Sequence, residues 1–185
     1  MLFLTKLFTL LCLATATIHA SVYDDETLTI FAKIAPRMIL MSSQKEKINE
    51  SIQICVVNDK IDERSAISLI GKVQDAYPNG ISNHPLVLTN TTYASMDKCQ
   101  DNQLMFLFNS NNKNIEKALQ YSHNHHLMSI SYDPKYLENG VETSLFLGRK
   151  VTPYININAL RKNGIEMDNL LIRISKIYLY EDGKQ

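Results

Sequence analysis

The chain has 185 residues, of which 45% are hydrophobic, and its 19 lysines and arginines are balanced by 19 aspartates and glutamates. A formal net charge of zero gives no general attraction to nucleic acid or anionic lipid, which excludes proteins that bind these partners through a strongly basic surface. The length is sufficient for one domain with a substantial hydrophobic core.

The N-terminal segment has the pattern of a secretory signal peptide. Lys6 precedes an apolar run, Leu7 to Leu13, and small residues end the segment at Ala20. The apolar run is shorter than the roughly 18 to 20 residues that a membrane-spanning helix needs, so an uncleaved anchor is the weaker interpretation. We predict cleavage after Ala20, with Ala16 as the alternative site, and no insertion of the mature protein into the membrane.

Cleavage of the signal peptide, residues 1–20, leaves a predicted single domain over residues 21–185. Cys12 leaves with the signal peptide, so Cys55 and Cys99 remain as an even pair. In an oxidising compartment an even pair suggests a disulfide. Two buried free thiols and an intermolecular bridge are the alternatives.

The first predicted element of the domain is a helix that ends near Met41. Asp24, Asp25 and Glu26 suit its N-terminus because acidic side chains accept from free backbone N–H groups and oppose the helix dipole. Pro36 predicts a kink. An apolar stripe either packs against a sheet or faces a partner or a second copy of the chain. The stripe contains Leu28, Phe31, Ile34, Ala35 and Met38.

The clearest core strand is predicted at Ser51 to Asn58, SIQICVVN, because its β-branched apolar residues pack well on a pleated surface. The next segment, Asp62 to Val73, has the apolar spacing of a helix. The predicted inward face of this helix contains Ile67, Leu69, Ile70 and Val73. A strand that leads into a helix is typical of α/β folds.

The middle of the chain repeats this alternation of strands and helices. A short strand is predicted at His84 to Leu88, and Pro85 favours either a sheet edge or the start of a strand. Gln103 to Phe108 is almost continuously apolar, as in a strand covered on both faces. A helix over Asn111 to Tyr121 and a strand over Leu127 to Ser131 follow. We predict a mostly parallel sheet with helices on both faces.

The C-terminal third predicts an antiparallel hairpin followed by helices. Val141 to Leu147 and Val151 to Ile157 are extended runs with hairpin spacing. Asn158 is predicted to cap a short helix that ends at Gly164, and Asp168 to cap the C-terminal helix. The expected inward residues of that last helix are Leu170, Leu171, Ile174, Ile177 and Tyr178.

One cluster of metal-ligand type occurs in the sequence, at His123, His125 and His126, since imidazole binds zinc, copper or nickel. Positions two apart on a helix face different directions, and no cysteine or carboxylate with ligand spacing is nearby. We therefore interpret the cluster as the polar end of a helix and predict no metal site. His84 is isolated, and we interpret it as structural.

The sequence contains no recognisable catalytic or cofactor-binding motif. The loop after the first strand, NDKID, lacks the glycines of a phosphate-binding loop, and neither G-x-S-x-G nor H-E-x-x-H occurs. We predict that the protein is not an enzyme and binds no cofactor, and a triad assembled only in space is the alternative. The carboxylates interpreted as solvated charges are Asp59, Asp62, Glu63, Asp75 and Asp97.

The segment from Tyr132 to Tyr178 resembles the C-terminal part of the YfiR/HmsC family of bacterial periplasmic regulators. The resemblance rests on the hairpin that ends in Ile155-Asn156-Ile157-Asn158, on Gly164 after the short helix, and on a terminal helix starting near Asp168. It extends back through QLMFLF and SIQICVVN to FAKIAPRMIL, which covers nearly the whole mature chain.

The resemblance implies a periplasmic protein that holds a membrane-bound diguanylate cyclase inactive and thereby restrains biofilm formation through cyclic di-GMP. Some members of the family occur beside or fused to sensor kinases, which are the second class of target. The family's disulfide corresponds to Cys55 and Cys99, whereas a second cysteine pair found in some relatives is absent here.

Two functions follow as hypotheses. The first is a non-enzymatic regulator that binds the periplasmic sensor domain of a membrane signalling protein, with a homodimer as a further assembly. The second is a periplasmic small-ligand-binding protein that feeds a sensor kinase. In the second, the loops Asn58 to Asp62 and Asn109 to Lys113 would line a crevice at the carboxyl ends of the strands.

Overall fold

The computed structural model describes residues 23–179. The predicted signal peptide and both candidate cleavage sites lie outside the described residues. None of the helices in the described part of the chain is long and apolar enough to cross a membrane. The helices are α1 (Asp25–Leu40), α2 (Glu63–Ala76), α3 (Asn112–His125), α4 (Ile157–Lys162) and α5 (Asn169–Ile174).

Seven strands form one sheet in the order β2-β1-β3-β4-β5-β6-β7. The strands from β1 to β5 are parallel, β5 and β6 form the antiparallel hairpin, and β7 pairs parallel to β6. The predicted fold class is therefore confirmed. The strands are β1 (Ile52–Asn58), β2 (Leu86–Thr92), β3 (Leu104–Leu107), β4 (Met128–Ser131), β5 (Thr143–Leu147), β6 (Val151–Asn156) and β7 (Lys176–Tyr178).

Helix α1 packs its apolar stripe against the sheet. The Asp24 side chain accepts from the Thr27 N–H at 2.7 Å and caps the helix, which continues through Pro36. Phe31 is fully buried and meets Phe106 of β3 edge to face, with ring centroids 5.2 Å apart. Of the two interpretations of the stripe, the structure shows the core-facing one.

The sheet separates two hydrophobic clusters, because successive residues of a strand point to opposite faces. On β1, Ile54 and Val56 join the cluster formed with α1 and α2, whereas Cys55 and Val57 join the cluster formed with α3. The two faces are called the α1 side and the α3 side below. Burial on both sides explains why β1 and β3 are almost continuously apolar.

The inward face of α2 differs from the prediction. Ile67 is 57% exposed, whereas Ala66, Leu69 and Val73 are buried and Ile70 is half-buried. The helix is rotated so that a small residue, Ala66, lies closest to the neighbouring core. The prediction considered only the spacing of bulky side chains and therefore placed Ile67, instead of Ala66, on the inward face.

The cap of α4 also differs from the prediction. Asn156 caps the helix, since its side-chain oxygen accepts from the Ala159 N–H at 3.0 Å, and the predicted cap Asn158 lies inside the helix. The Asn156 amide also donates to the Leu137 carbonyl at 2.9 Å. This second bond joins residues that are far apart in the sequence, so no local sequence pattern predicts it.

The predicted C-terminal helix is shorter than expected and is followed by a strand. Helix α5 ends at Ile174, and Ile177 and Tyr178 pair with β6 instead of continuing the helix. Leu171 is buried, whereas Leu170 and Ile174 are 63% and 55% exposed. Pairing with the open edge of β6 satisfies backbone groups that a single helical turn would leave unpaired, which explains the change.

Candidate functional site

The strand order reverses between β1 and β3, and α/β proteins commonly bind ligands at the carboxyl ends of strands at such a point. The loops Asn58 to Asp62 and Asn109 to Lys113 do meet there. Asp59 accepts from the Ser110 hydroxyl at 2.6 Å and from the Asn114 amide at 3.3 Å, and that amide also donates to the Ser110 hydroxyl at 2.8 Å. These side-chain hydrogen bonds join the two loops that the second hypothesis placed around a ligand.

Two tyrosines complete this network. The Tyr23 hydroxyl accepts from the Asn109 N–H at 2.8 Å and donates to Asp62 at 3.3 Å, while Tyr136 accepts from the Ser110 N–H at 3.0 Å. Burial, with the charge of Asp62 as a second cause, raises the pKa of Tyr23 far above its ordinary value. Tyr23 is therefore a neutral structural hydrogen-bonding group at physiological pH.

The disulfide expected from the sequence is present between Cys55 and Cys99. Their Cα atoms are 5.4 Å apart, and both residues are fully buried. Cys55 lies in the middle of β1, and Cys99 ends the 3₁₀ turn Met96–Cys99 that precedes β3. The bond fixes the connection between β2 and β3 to the α3 side of the sheet.

The three clustered histidines finish α3. His123 and His125 lie in its last turn, and His126 is the C-cap with a left-handed backbone, φ 52°. The His126 carbonyl accepts from the Gln44 amide at 3.1 Å and from Lys47 at 2.5 Å. Over residues 23–179, no group of three or more metal-ligating side chains is placed to hold a metal ion.

A cavity of about 740 Å³ opens between the C-terminal half of α3, residues 138–140 and the start of α4. Its volume lies within the range of small-molecule sites. Burial lowers the pKa of His123, and the charges of Lys162 and His126 add to the effect, so His123 is mainly neutral at neutral pH. The wall includes Leu119, His123, Asn139, Asn158 and Lys162.

Glu142 is a fully buried carboxyl close to this region, at the start of β5. It accepts from the Ser129 N–H at 2.8 Å, from the Ser129 hydroxyl and from the Asn163 amide at 3.0 Å. No salt bridge to Glu142 occurs among the described residues. Burial raises the pKa of Glu142 to about 7, although its hydrogen bonds partly oppose the shift. The group therefore titrates near neutral pH.

The α3 side of the last three strands carries a group of aromatic residues around one lysine. The Lys176 ammonium lies 4.1 Å from the ring centre of Phe146 and 5.0 Å from that of Tyr154. The Tyr154 and Tyr178 rings meet edge to face at 5.9 Å. None of the four residues belongs to either hydrophobic cluster. Phe146, Tyr154, Lys176 and Tyr178 are called the aromatic platform below.

The platform and the cavity adjoin each other. Asn156 lines the cavity and is the register partner of Tyr178, one of the platform residues. Exposed apolar residues are concentrated at the same end of the molecule. Of the nine large exposed hydrophobics among the described residues, six lie between positions 146 and 179, and two of these, Leu147 and Val151, point to the α1 side and away from the platform. The six are Phe146, Leu147, Val151, Leu170, Ile174 and Leu179.

Sequence reasoning missed both Glu142 and the platform. The alternation of Glu142, Ser144 and Phe146 in the predicted strand was a signal that these side chains share one face, opposite Leu145. Lys176 and Tyr178 could not be placed beside them, because the sequence predicted a helix there. Only the pairing of β7 with β6 brings the platform together.

A family profile described as YfiR/HmsC-like matches residues 39–176, about three quarters of the chain. Among solved structures, a conserved domain protein from Vibrio cholerae O1 biovar eltor is similar, with a TM-score of 0.58 and 13% identity over 81% of this chain and 59% of that one. An ABC domain from Streptococcus pneumonia, in complex with L-Trp, has a TM-score of 0.59 and 6% identity over 80% and 60%.

These structural likenesses show the fold alone, because both identities are low. The chain spans about six tenths of the length of each of the two solved chains. No curated protein has significant sequence similarity to the chain.

Loss of the disulfide should destabilise the fold strongly. Closing a loop of 44 positions restricts the unfolded chain and stabilises the native state by up to about 4 kcal/mol on the chain-entropy model. Urea unfolding of Cys55→Ala should show a loss of this order, and reduced wild-type protein, which keeps all its side chains, is the matched comparison. Two reactive thiols in unfolded, unreduced wild-type protein would contradict the pairing.

Glu142 should make stability depend on pH. Because its folded pKa of about 7 lies above the ordinary value of 4.5, its contribution is fully present below about pH 4.5 and is lost as the pH rises through 7. The stability of wild type should therefore fall by at most about 3 kcal/mol between about pH 4.5 and pH 8, and Glu142→Gln should lack this pH dependence. Urea unfolding from pH 5 to 8 measures the difference. The exposed Glu138→Gln is the control, and an unchanged pH slope in Glu142→Gln would contradict the assignment.

Proposed function

The chain belongs to the YfiR/HmsC-like family, and from this membership we propose that it is a periplasmic regulator that binds and restrains the sensor domain of a membrane-bound diguanylate cyclase. The family supports a regulatory role in general. In the proposal, the signal peptide of residues 1–20 is removed, residues 21–185 act as one domain in the periplasm, and the output is cyclic di-GMP and biofilm formation.

The observation that carries the proposal is the aromatic platform. Aromatic side chains are the usual centres of protein–protein affinity because they bury a large area with little loss of conformational freedom. Lys176 lies against Phe146 and Tyr154, so the platform offers a cation for an acidic group of the partner together with apolar rings.

The carboxyl edge of the sheet supports a binding function over catalysis. Asp59 and Asp62 are the acidic groups nearest to the point where strand order reverses, and both are hydrogen-bonded to side chains of the protein. Ser110 is bonded to Asp59 and Asn114, and no histidine bonds to its hydroxyl. The histidine that usually activates a nucleophilic serine is therefore missing from this network of described residues.

A second candidate function is that of a small-ligand-binding protein that feeds a sensor kinase. The cavity between α3 and α4 favours it, since its volume suits a small molecule and Lys162 supplies a positive charge for an anionic group. A domain of similar fold is known in complex with L-Trp, although the 6% identity extends the likeness to the fold alone. In this function the ligand site is the cavity between α3 and α4.

The platform gives a direct test of docking. The double variant Phe146→Ala/Tyr154→Ala should lose at least about tenfold in recovery of its membrane partner, because two central aromatic contacts disappear. The measurement is chemical crosslinking in cells, followed by purification from solubilised membranes and identification of the captured proteins.

The matched control is Leu147→Ala/Val151→Ala, which truncates two residues of the same hairpin that point to the α1 side. We expect the control to retain most of the recovery. Equal recovery of a signalling protein by both variants would show that the platform is not part of the interface. Failure of the wild-type protein to capture any signalling protein would contradict the proposed function itself.

A further inference from the structure

The end of the hairpin formed by β5 and β6 extends beyond the strand beside it. One residue pair, Ile130 and Thr143, joins β4 to β5 in the described part of the chain, and β4 ends at Ser131. The hairpin from Leu145 onwards therefore continues past that strand. All six residues around its turn, FLGRKV at positions 146–151, are exposed.

The two faces of the hairpin end carry different kinds of apolar side chain. Leu147 and Val151 are directly paired and point to the α1 side, the side of the buried Leu145. Phe146 and Tyr154 point to the other side, where they belong to the aromatic platform. Aliphatic side chains therefore occupy one face of the hairpin end and aromatic side chains the other.

Helix α5 adds aliphatic residues on the α1 side. Its buried residue, Leu171, belongs to the α1-side cluster, whereas Leu170 and Ile174, one helical turn apart, are exposed. Lys176, two residues after the helix, pairs with Tyr154 of β6, so the helix ends beside the first half of β6. Leu147, Val151, Leu170 and Ile174 are called the aliphatic surface below.

The zero net charge of the chain is unevenly distributed. Residues 143–179 contain six basic and two acidic residues, whereas the remainder contains thirteen basic and seventeen acidic ones. Arg149 and Lys150 form the turn of the hairpin, and Arg173 lies in the last turn of α5. All three are exposed, and none forms a salt bridge among the described residues. Positive charge therefore borders the aliphatic surface.

A second exposed segment shows the contrast. The sequence DKIDER, at positions 59–64, also places an exposed aliphatic residue, Ile61, between basic residues, Lys60 and Arg64. Three acidic residues in the same segment outnumber these two basic ones. The hairpin turn differs because the segment FLGRKV contains two basic residues and no acidic one.

We propose that the aliphatic surface binds peripherally to a bilayer that contains anionic phospholipid, with Leu147 and Val151 at the boundary between headgroups and acyl chains and Arg149 and Lys150 at the phosphates. Peripheral binding uses this combination because buried apolar area and attraction to anionic headgroups add together. Long basic side chains keep their charged ends among the headgroups while their methylene groups cover apolar surface.

The composition of the surface favours lipid over an acidic protein. Aromatic residues usually dominate protein–protein affinity, whereas leucine and valine are under-represented among the residues that do so. At this end of the molecule the aromatic residues Phe146 and Tyr154 lie on the α3 side, and the surface on the α1 side is aliphatic and bordered by basic residues. A bilayer requires no matching shape or directed hydrogen bonds, so aliphatic area with positive charge suffices.

Vesicle binding by the mature protein tests the proposal. The protein should bind vesicles of equal parts phosphatidylglycerol and phosphatidylcholine, bind phosphatidylcholine alone much less, and lose affinity as salt increases. Arg149→Gln/Lys150→Gln should bind the mixed vesicles at least about tenfold less tightly, because each basic residue near an anionic surface contributes about fivefold. Co-sedimentation over a range of lipid concentrations gives the affinities. The matched control, Lys60→Gln/Arg64→Gln, should keep the affinity of wild type.

The position of the contact can be tested with fluorescence, because the chain contains no tryptophan. The emission of Leu147→Trp should shift to shorter wavelength on addition of mixed vesicles, since the introduced indole leaves water. Ile67→Trp, at an exposed position of α2, is the control and should show no shift.

Wild-type protein that fails to bind the mixed vesicles would overturn the proposal. Binding that Arg149→Gln/Lys150→Gln leaves unchanged, or an unshifted emission of Leu147→Trp, would also overturn it, since the contact would then lie elsewhere. The vesicles contain no protein, so these results are independent of the proposed regulatory function. Protein that captures a cyclase but ignores vesicles would refute the membrane contact alone, and protein that binds vesicles but captures no signalling protein would refute the regulatory function alone.

Discussion

The structure depends on the pairing of β1 along both of its edges. Seven residues of β1 pair with β2, and Ile54 to Val57 pair with β3. Hydrogen bonding on both sides, together with burial on both faces, fixes the strand that supports both hydrophobic clusters. The Cys55–Cys99 bond joins this strand covalently to the chain that crosses between its two neighbours. The disulfide and the two strand pairings therefore hold β2, β1 and β3 together as one unit.

The two ends of the sheet carry different kinds of side chain. At the carboxyl ends of β1 and β3, Asp59, Ser110, Asn114 and Tyr23 hold the loops together through hydrogen bonds. The exposed apolar residues and the cavity lie instead at the end formed by β5 to β7. Because burial raises the pKa of Glu142 to about 7, this carboxyl beside β5 should make the stability of the protein sensitive to pH near neutrality.

Much of the fold could be predicted because the strongest sequence signals are local. Continuous apolar runs identified β1 and β3, and Asp24 and Asn111 identified the starts of α1 and α3. The predictions are wrong where a contact with a residue distant in the sequence determines the local structure. Ile177 and Tyr178 were predicted to be helical, but their backbone groups pair with those of β6 and form β7. The platform is assembled only by that pairing. A single sequence contains no signal for such a neighbour.

The most direct test of the regulatory role is the cellular concentration of cyclic di-GMP in a strain that lacks the gene. Restraint of a diguanylate cyclase predicts a rise on deletion and a return to the original concentration when the wild-type gene is restored. The gene encoding Phe146→Ala/Tyr154→Ala should fail to restore it although the protein is secreted. An unchanged concentration on deletion, under conditions in which the protein is made, would contradict the proposed role.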